Sequence, residues 1–261
     1  MISLYSGTPG SGKSLHVAKT MYWWIRAGNP CICNFPLATE KIKFSHRQDF
    51  HFVREDELTP DYLIKFAKDY TKKNGKVKEG SILLVIDECQ RIFNARDWGQ
   101  KGRGDWLTFF TLHRHLGFDI ILIAQFDRML DRQIRALIEY EYIHRKVSNF
   151  GWKGKILSFL AFGNLFVTVK VWYPMKEKTG SEWFRAKKMY YGLYDTFAMF
   201  DGLGQAEDGL RGPCRCEAQP EGLAYLTIAT LNSIFFPRRT FASGSIFLKN
   251  EKSVAHGHEK S

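Results

Sequence analysis

The chain lacks several features that would have settled its class at once. There is no charged start followed by an apolar run and a small-residue cleavage site, because Met1-Ile2-Ser3-Leu4-Tyr5 leads straight into a glycine-rich motif. No secretory leader is therefore expected. A long apolar run is missing too. Ile156 to Val169 is interrupted by Gly163 and Asn164, and Leu223 to Phe236 carries Thr227, Thr230, Asn232 and Ser233. Both fall short of the roughly twenty apolar residues that a spanning helix needs, so a transmembrane helix is not expected, even over 223–236. Cysteine is scarce and odd in number, at 5. Neither Cys31/Cys33 nor Cys214/Cys216 has zinc-site spacing, so a disulfide scaffold and a zinc module are both set aside. Cys31 and Cys33 would face one side of a strand, as packing requires, and reduced thiols of a cytosolic protein are expected. No internal repeat is visible, which argues against a solenoid.

Acidic residues are also in short supply. There are 27 against 38 lysines and arginines, a net charge of +11. The excess favours an anionic partner such as a nucleotide, a nucleic acid or an acidic lipid face. It is spread along the chain and forms no dense block. Length and an apolar fraction of 44% allow one large domain with an appendage.

What is present is an alternation of strands and helices. Ile2–Ser6 reads as a strand, and a helix is expected from Lys13 to about Ala27. Pro30–Phe35 is a second strand, with short strand candidates at Ile42–Phe44 and Phe50–Val53. Thr59-Pro60 opens a helix by the cap-plus-proline signal. Ser81–Asp87 and Asp119–Gln125 are apolar throughout, as strands buried on both faces should be. Helices are expected over 103–116 and Asp131–Ile138, and strands at Tyr140–Lys146, Leu165–Tyr173 and Trp183–Tyr191. The order implies a three-layer α/β fold with a mainly parallel sheet, closed by antiparallel edge strands after about residue 138. Residues 1–201 are read as one domain and 202–261 as a weakly ordered tail.

Gly7-Thr8-Pro9-Gly10-Ser11-Gly12-Lys13-Ser14 matches G-x-x-x-x-G-K-[ST] in full, with a strand before it and a helix after it. Glycines let backbone N–H groups close around phosphates, and the helix start adds its positive dipole end. Lys13 would meet the β and γ phosphates of ATP, and Ser14 would offer its hydroxyl to Mg²⁺. The apolar strand 82–86 delivers Asp87 and Glu88 at its C-terminal end. Asp87 would hold Mg²⁺, and Glu88 would orient the attacking water. Gln125, closing the next buried strand, could sense the γ-phosphate. Arg96 and Arg114 are the candidate cations for charge developing on that phosphate, within one subunit or across an interface. His113 and His115 read as helix-surface or packing residues.

These residues together resemble a known family. Gly7–Ser14, Val85-Ile86-Asp87-Glu88-Cys89-Gln90 with Arg96 shortly after, and His113-Arg114-His115-Leu116-Gly117-Phe118-Asp119 leading into Ile123-Ala124-Gln125 look like the Zot (zonula occludens toxin) N-terminal domain. That domain is similar to the filamentous-phage morphogenesis ATPase. The resemblance covers residues 1–197. It implies an FtsK/HerA-like P-loop ATPase with an extra strand between the two nucleotide motifs. It also implies a ring-shaped homo-oligomer that assembles and extrudes filamentous virions with phage coat or export proteins. Work in the host bacterial cytoplasm, with peripheral contact at the inner membrane face, is the expected setting. Family members commonly carry a membrane helix and an outer domain after the ATPase. The weakly apolar tail here does not match that pattern, so neither anchorage nor toxin activity is carried over. A motor that translocates or packages DNA, with single-stranded DNA as partner, is the rival reading. A nucleotide-binding scaffold with little turnover is a third, against which the intact Glu88 argues.

Overall fold

The computed structural model describes residues 1–42, 49–75, 78–96, 102–160 and 164–194. The strand candidate beyond Ile42, the tail 202–261 and the apolar stretch 223–236 lie outside the described residues.

Eight strands form one sheet: β1 (Ile2–Ser6), β2 (Cys31–Cys33), β3 (Phe50–Phe52), β4 (Ile82–Ile86), β5 (Phe118–Ile123), β6 (Tyr140–Lys146), β7 (Leu165–Trp172) and β8 (Glu177–Arg185). Their order is β3-β2-β4-β5-β1-β6-β7-β8. The first six pair in parallel, and β7 and β8 add antiparallel at one edge. Strand β5 therefore lies between β1, which leads into the glycine loop, and β4, which leads into Asp87. This is the inserted strand that the resemblance implied.

The central strands are apolar on both faces because both faces are covered. Ile2, Leu4, Ile82, Leu84 and Ile86 join Phe109, Phe110 and Leu63 in one buried cluster. Helices α2 (Pro60–Asn74), α3 (Arg103–Leu112) and α4 (Arg132–Ala136) supply its other half. Tyr5, Leu83 and Val85 point the opposite way, against Val17, Met21 and Ile25 of helix α1 (Lys13–Arg26). Cys31 and Cys33 share this second cluster while Ile32 enters the first, as period-two alternation demands. The described thiols Cys31, Cys33 and Cys89 are free and buried, and burial raises the Cys33 pKa to about 12.

Local signals hold where the chemistry is unambiguous. Thr59 caps α2 by accepting from the Tyr62 N–H at 3.3 Å, with proline in the first turn. Asp131 caps α4 by accepting from Gln133 N–H at 2.8 Å. Two expectations need correction. The helix over 103–116 ends at Leu112, so His113, Arg114 and His115 lie in the following turn rather than on a helix. The final strand runs over Glu177–Arg185, not Trp183–Tyr191, and Lys188–Tyr191 is a short helix, α6. The first half of this edge strand, Glu177–Ser181, carries no large apolar side chain, so its sequence has no alternation to read. The stretch 156–169 is split between helix α5 (Gly151–Leu160), which the sequence pattern did not reveal, and strand β7. Among the described residues no helix is long and apolar enough to cross a membrane.

Candidate functional site

Parallel strands place their C-terminal ends on one edge of the sheet, where ligands of such folds collect. Ser6, Ile86, Ile123 and Cys33 all end there, so the residues that follow them meet. Gly7 donates its N–H to the Gln125 carbonyl at 3.1 Å, which ties the glycine loop to the end of β5. Ser11 donates to the Thr8 carbonyl at 3.1 Å, which closes the turn. Gly7 and Gly12 adopt φ of 143° and 94°. A Cβ on Gly7 would come within 2.6 Å of the His144 carbonyl oxygen, and one on Gly12 within 2.6 Å of the Phe166 ring. Glycine is therefore required at both positions, by backbone conformation and by space. No side chain caps the start of α1. Its first N–H groups are left for an anion, reinforced by the helix dipole.

Lys13 folds back over this loop, donating to the Gly7 carbonyl at 2.7 Å and the Thr8 carbonyl at 3.3 Å. Burial lowers its pKa, and the nearby Glu88 and Asp87 oppose that shift. The buried Ser11 hydroxyl has no hydrogen-bond partner among the described residues.

Asp87 is buried and held from both sides. The Asn34 amide donates to the Asp87 carbonyl at 3.0 Å and accepts from the Asp87 N–H at 2.7 Å. Its carboxylate accepts from the Glu88 N–H at 2.8 Å and from the Tyr194 hydroxyl. Burial raises the Asp87 pKa, and the hydrogen bonds from Tyr194 and Glu88 only partly offset this. The Ser14 hydroxyl lies close to the same Tyr194 oxygen. The tyrosine hydroxyl bonds one of the oxygen donors expected to hold Mg²⁺ and lies near the other, so Ser14 and Asp87 stand on the same edge. A hydroxyl and a carboxylate are the hard oxygen ligands that Mg²⁺ takes alongside phosphate. The residues fit a magnesium nucleotide.

Glu88 has a left-handed backbone, φ 46°, and its carboxylate accepts from the Gln90 amide. Non-glycine residues in this conformation are sparse and gather at functional sites. Gln125 and Thr8 border a cavity of 420 Å³ that also contacts Glu141, His144 and Asn149. At its base Ser6 donates to Glu141 at 2.7 Å, and Lys176 reaches both Glu141 and Asp127, at 3.3 and 3.5 Å.

The two arginine candidates part company. Arg96 is exposed, and its neighbours Asn94 and Ala95 bond to Leu130 and Met129, downstream of Gln125 on the nucleotide edge. Arg114 lies at the start of β5, at the opposite edge. It is paired there with Glu139 at 2.6 Å and Glu79 at 3.3 Å. A strand the length of β5 separates it from the loop, roughly 20 Å. A role for Arg114 within its own subunit has no geometry to support it.

Sequence reasoning missed Asn34, Tyr194, His16 and His144. Asn34 falls inside the strand read over Pro30–Phe35, whereas the observed strand ends at Cys33 and leaves Asn34 just beyond it. Tyr194 lies near the end of the domain read over 1–201, with no motif to mark it. His16 and His144 face each other beneath the loop, Nδ1 to Nε2 at 2.8 Å, with His144 Nδ1 3.2 Å from the Ser6 carbonyl. Burial lowers both pKa values to about 3, so both rings are neutral at neutral pH.

A phosphate loop closing one strand, an acidic pair closing another, and a strand inserted between them define a P-loop nucleotide-binding arrangement. Residues 1–198 match the family model described as Zonular occludens toxin (Zot), and the chain belongs to that family. The Gene 1 protein of Escherichia phage If1 is 32% identical over 212 residues, 76% of this chain and 59% of that protein. A protein of Pseudomonas phage Pf3 named for assembly, ORF301, is 29% identical over 140 residues, 53% of this chain and 40% of its own length. The first curated relatives are spanned over only 35% to 59% of their lengths. The solved N-terminal domain of zonular occludens toxin from Neisseria meningitidis is 21% identical, with a TM-score of 0.45, over 74% of this chain and 98% of that domain.

Proposed function

We propose that this chain is a Mg²⁺-dependent ATPase that drives the assembly and export of filamentous virions. The observation that carries the chemistry is the convergence of Lys13, Ser14 and Asp87 at one sheet edge, with Glu88 beside them. In this reading the glycine loop and Lys13 hold the triphosphate, and bound Mg²⁺ screens its charge. Ser14 and Asp87 are the residues that hold the metal. Asn34 keeps the Asp87 backbone from rotating. Glu88 takes the proton of an attacking water, and Gln125, anchored to the loop through its backbone, reports the γ-phosphate. Arg96, exposed on the same edge, is the better candidate for a cation given to the neighbouring site of a homo-oligomeric ring.

The biological setting rests on the family and on the phage relatives, one of which is named for assembly. In this setting the protein works in the host bacterial cytoplasm or at the inner membrane face, with phage coat or export proteins as partners. The test is steady-state ATP hydrolysis by the purified chain with and without single-stranded DNA. Hydrolysis that DNA leaves unchanged supports the virion-assembly reading. Stimulation of several-fold would favour a DNA-translocating motor, and no hydrolysis with intact nucleotide binding would leave a scaffold.

A further inference from the structure

Helix α5 (Gly151–Leu160) exposes an apolar face whose composition names its partner. Gly154 presses on the turn before the helix: a Cβ there would lie 2.2 Å from the Val147 carbonyl oxygen and 2.9 Å from the Phe150 Cβ. The close approach fixes which side of α5 meets the protein. Successive residues advance by about 100°, so Trp152, Ile156, Phe159 and Leu160 fall on the side opposite Gly154. They are 70%, 48%, 81% and 64% exposed. Four large apolar side chains on one helix face form a contiguous patch of the kind that marks an interaction surface.

Lys153 and Lys155 lie one on each flank of this stripe, both exposed. The helix sequence GWKGKILSFL contains no acidic residue, and Arg145 and Lys146 stand just before it. We propose that α5 docks on an anionic phospholipid surface. The helix lies in the plane of the interface, Trp152, Ile156, Phe159 and Leu160 enter the acyl boundary, and the flanking lysines reach the headgroups. An apolar stripe bordered by lysines, with tryptophan among its members, is the pattern of interfacial helices. A second copy meeting this face symmetrically is a poorer occupant, because it would set Lys153 and Lys155 against the same lysines, whereas anionic lipid complements them. Spanning is excluded by length, since ten residues reach about 15 Å against a hydrocarbon core of about 30 Å. The cavity beside the glycine loop is bordered by Asn149 and Phe150, so the docked helix would lie next to the nucleotide site.

The test is co-sedimentation of the full chain with phosphatidylcholine vesicles and with mixed phosphatidylcholine–phosphatidylglycerol vesicles, over a range of salt. Binding is expected to the anionic vesicles and to weaken with salt, because one short helix needs both apolar and electrostatic terms. Phe159→Asp should weaken it by about ten-fold or more, and Lys153→Gln with Lys155→Gln should weaken it and flatten the salt dependence. Nucleotide binding and thermal midpoint serve as folding controls, since all three side chains point to solvent. No binding of the unaltered chain to anionic vesicles would overturn the proposal. So would vesicle binding by Phe159→Asp at the unaltered level, which would put the contact elsewhere in the chain. Loss of oligomer in Phe159→Asp by light scattering, with vesicle binding unchanged, would also overturn it and identify the face as a contact between copies.

Discussion

The Tyr194 hydroxyl donates to the Asp87 carboxylate across 107 residues of sequence and lies close to the Ser14 hydroxyl. It stands beside the two side chains that a magnesium nucleotide would use. The tyrosine is itself seated: its ring meets Phe35 at 4.7 Å, Leu37 pairs with its backbone, and Ala38 donates to the Leu193 carbonyl at 2.9 Å.

Tyr194→Phe should therefore have two opposite effects. Without nucleotide it leaves a buried carboxylate short of one donor, at a cost of about 1–3 kcal/mol. The thermal midpoint of the free protein should fall. With nucleotide, Mg²⁺ no longer competes with a hydroxyl for Asp87. The Mg²⁺ concentration that half-saturates binding of a fluorescent ATP analogue should drop several-fold. A rise in that concentration would show that the hydroxyl supports the bound metal instead.

Lys13→Ala should abolish binding of Mg·ATP and its hydrolysis together. The loop loses its side-chain cation at the β and γ phosphates. Unchanged affinity in equilibrium binding would remove the phosphate-loop assignment.

Glu88→Gln and Asp87→Asn should separate chemistry from binding. The first keeps size and shape and removes the carboxylate that polarises water, so affinity stays and turnover falls by about 10²–10⁴-fold. The second weakens the metal site, so binding and rate fall together. Wild-type hydrolysis by Glu88→Gln would move the catalytic role elsewhere, with Gln125 examined first.

Arg96→Ala should slow turnover while leaving nucleotide affinity in place, and Arg114→Ala should leave turnover near the wild-type value. Arg114 is already engaged by Glu79 and Glu139 at the far edge of the sheet. Loss of turnover in Arg114→Ala without loss of stability would mean that a neighbouring subunit brings this far edge to the nucleotide.

The His16–His144 pair makes stability depend on pH. Burial depresses both folded-state pKa values to about 3, whereas the ordinary value is 6.5. Between these limits the unfolded chain binds protons that the folded chain refuses. Stability is then complete above pH 6.5 and declines as pH falls toward 3, by up to about 1.4 kcal/mol per pH unit for each ring. Urea midpoints measured across that window should fall, and His16→Gln should flatten the slope. Equal slopes for the two proteins would show that carboxylates alone govern acid unfolding.

Much of this protein was already legible along the chain, because the determinants are local. The glycine loop needs left-handed backbone and a helix start within eight consecutive residues. Strands β4 and β5 announce themselves by apolar runs that only a doubly covered strand carries, and Asp87-Glu88 close one of those runs. The insertion of β5 between β1 and β4 came from the family resemblance, since no spacing along the chain dictates strand order. Tertiary structure alone decided what lies far apart in sequence. It put Tyr194 on Asp87, Asn34 around the Asp87 peptide and His144 beneath Gly7. It sent Arg96 and Arg114 to opposite edges of the sheet, although both had the same apparent promise as cations. It also turned an ambiguous apolar stretch into the exposed face of α5. The physical reason is shared: a parallel sheet gathers the ends of its strands at one edge whatever their separation in sequence. Polar side chains there find partners by burial and geometry, which no periodicity records.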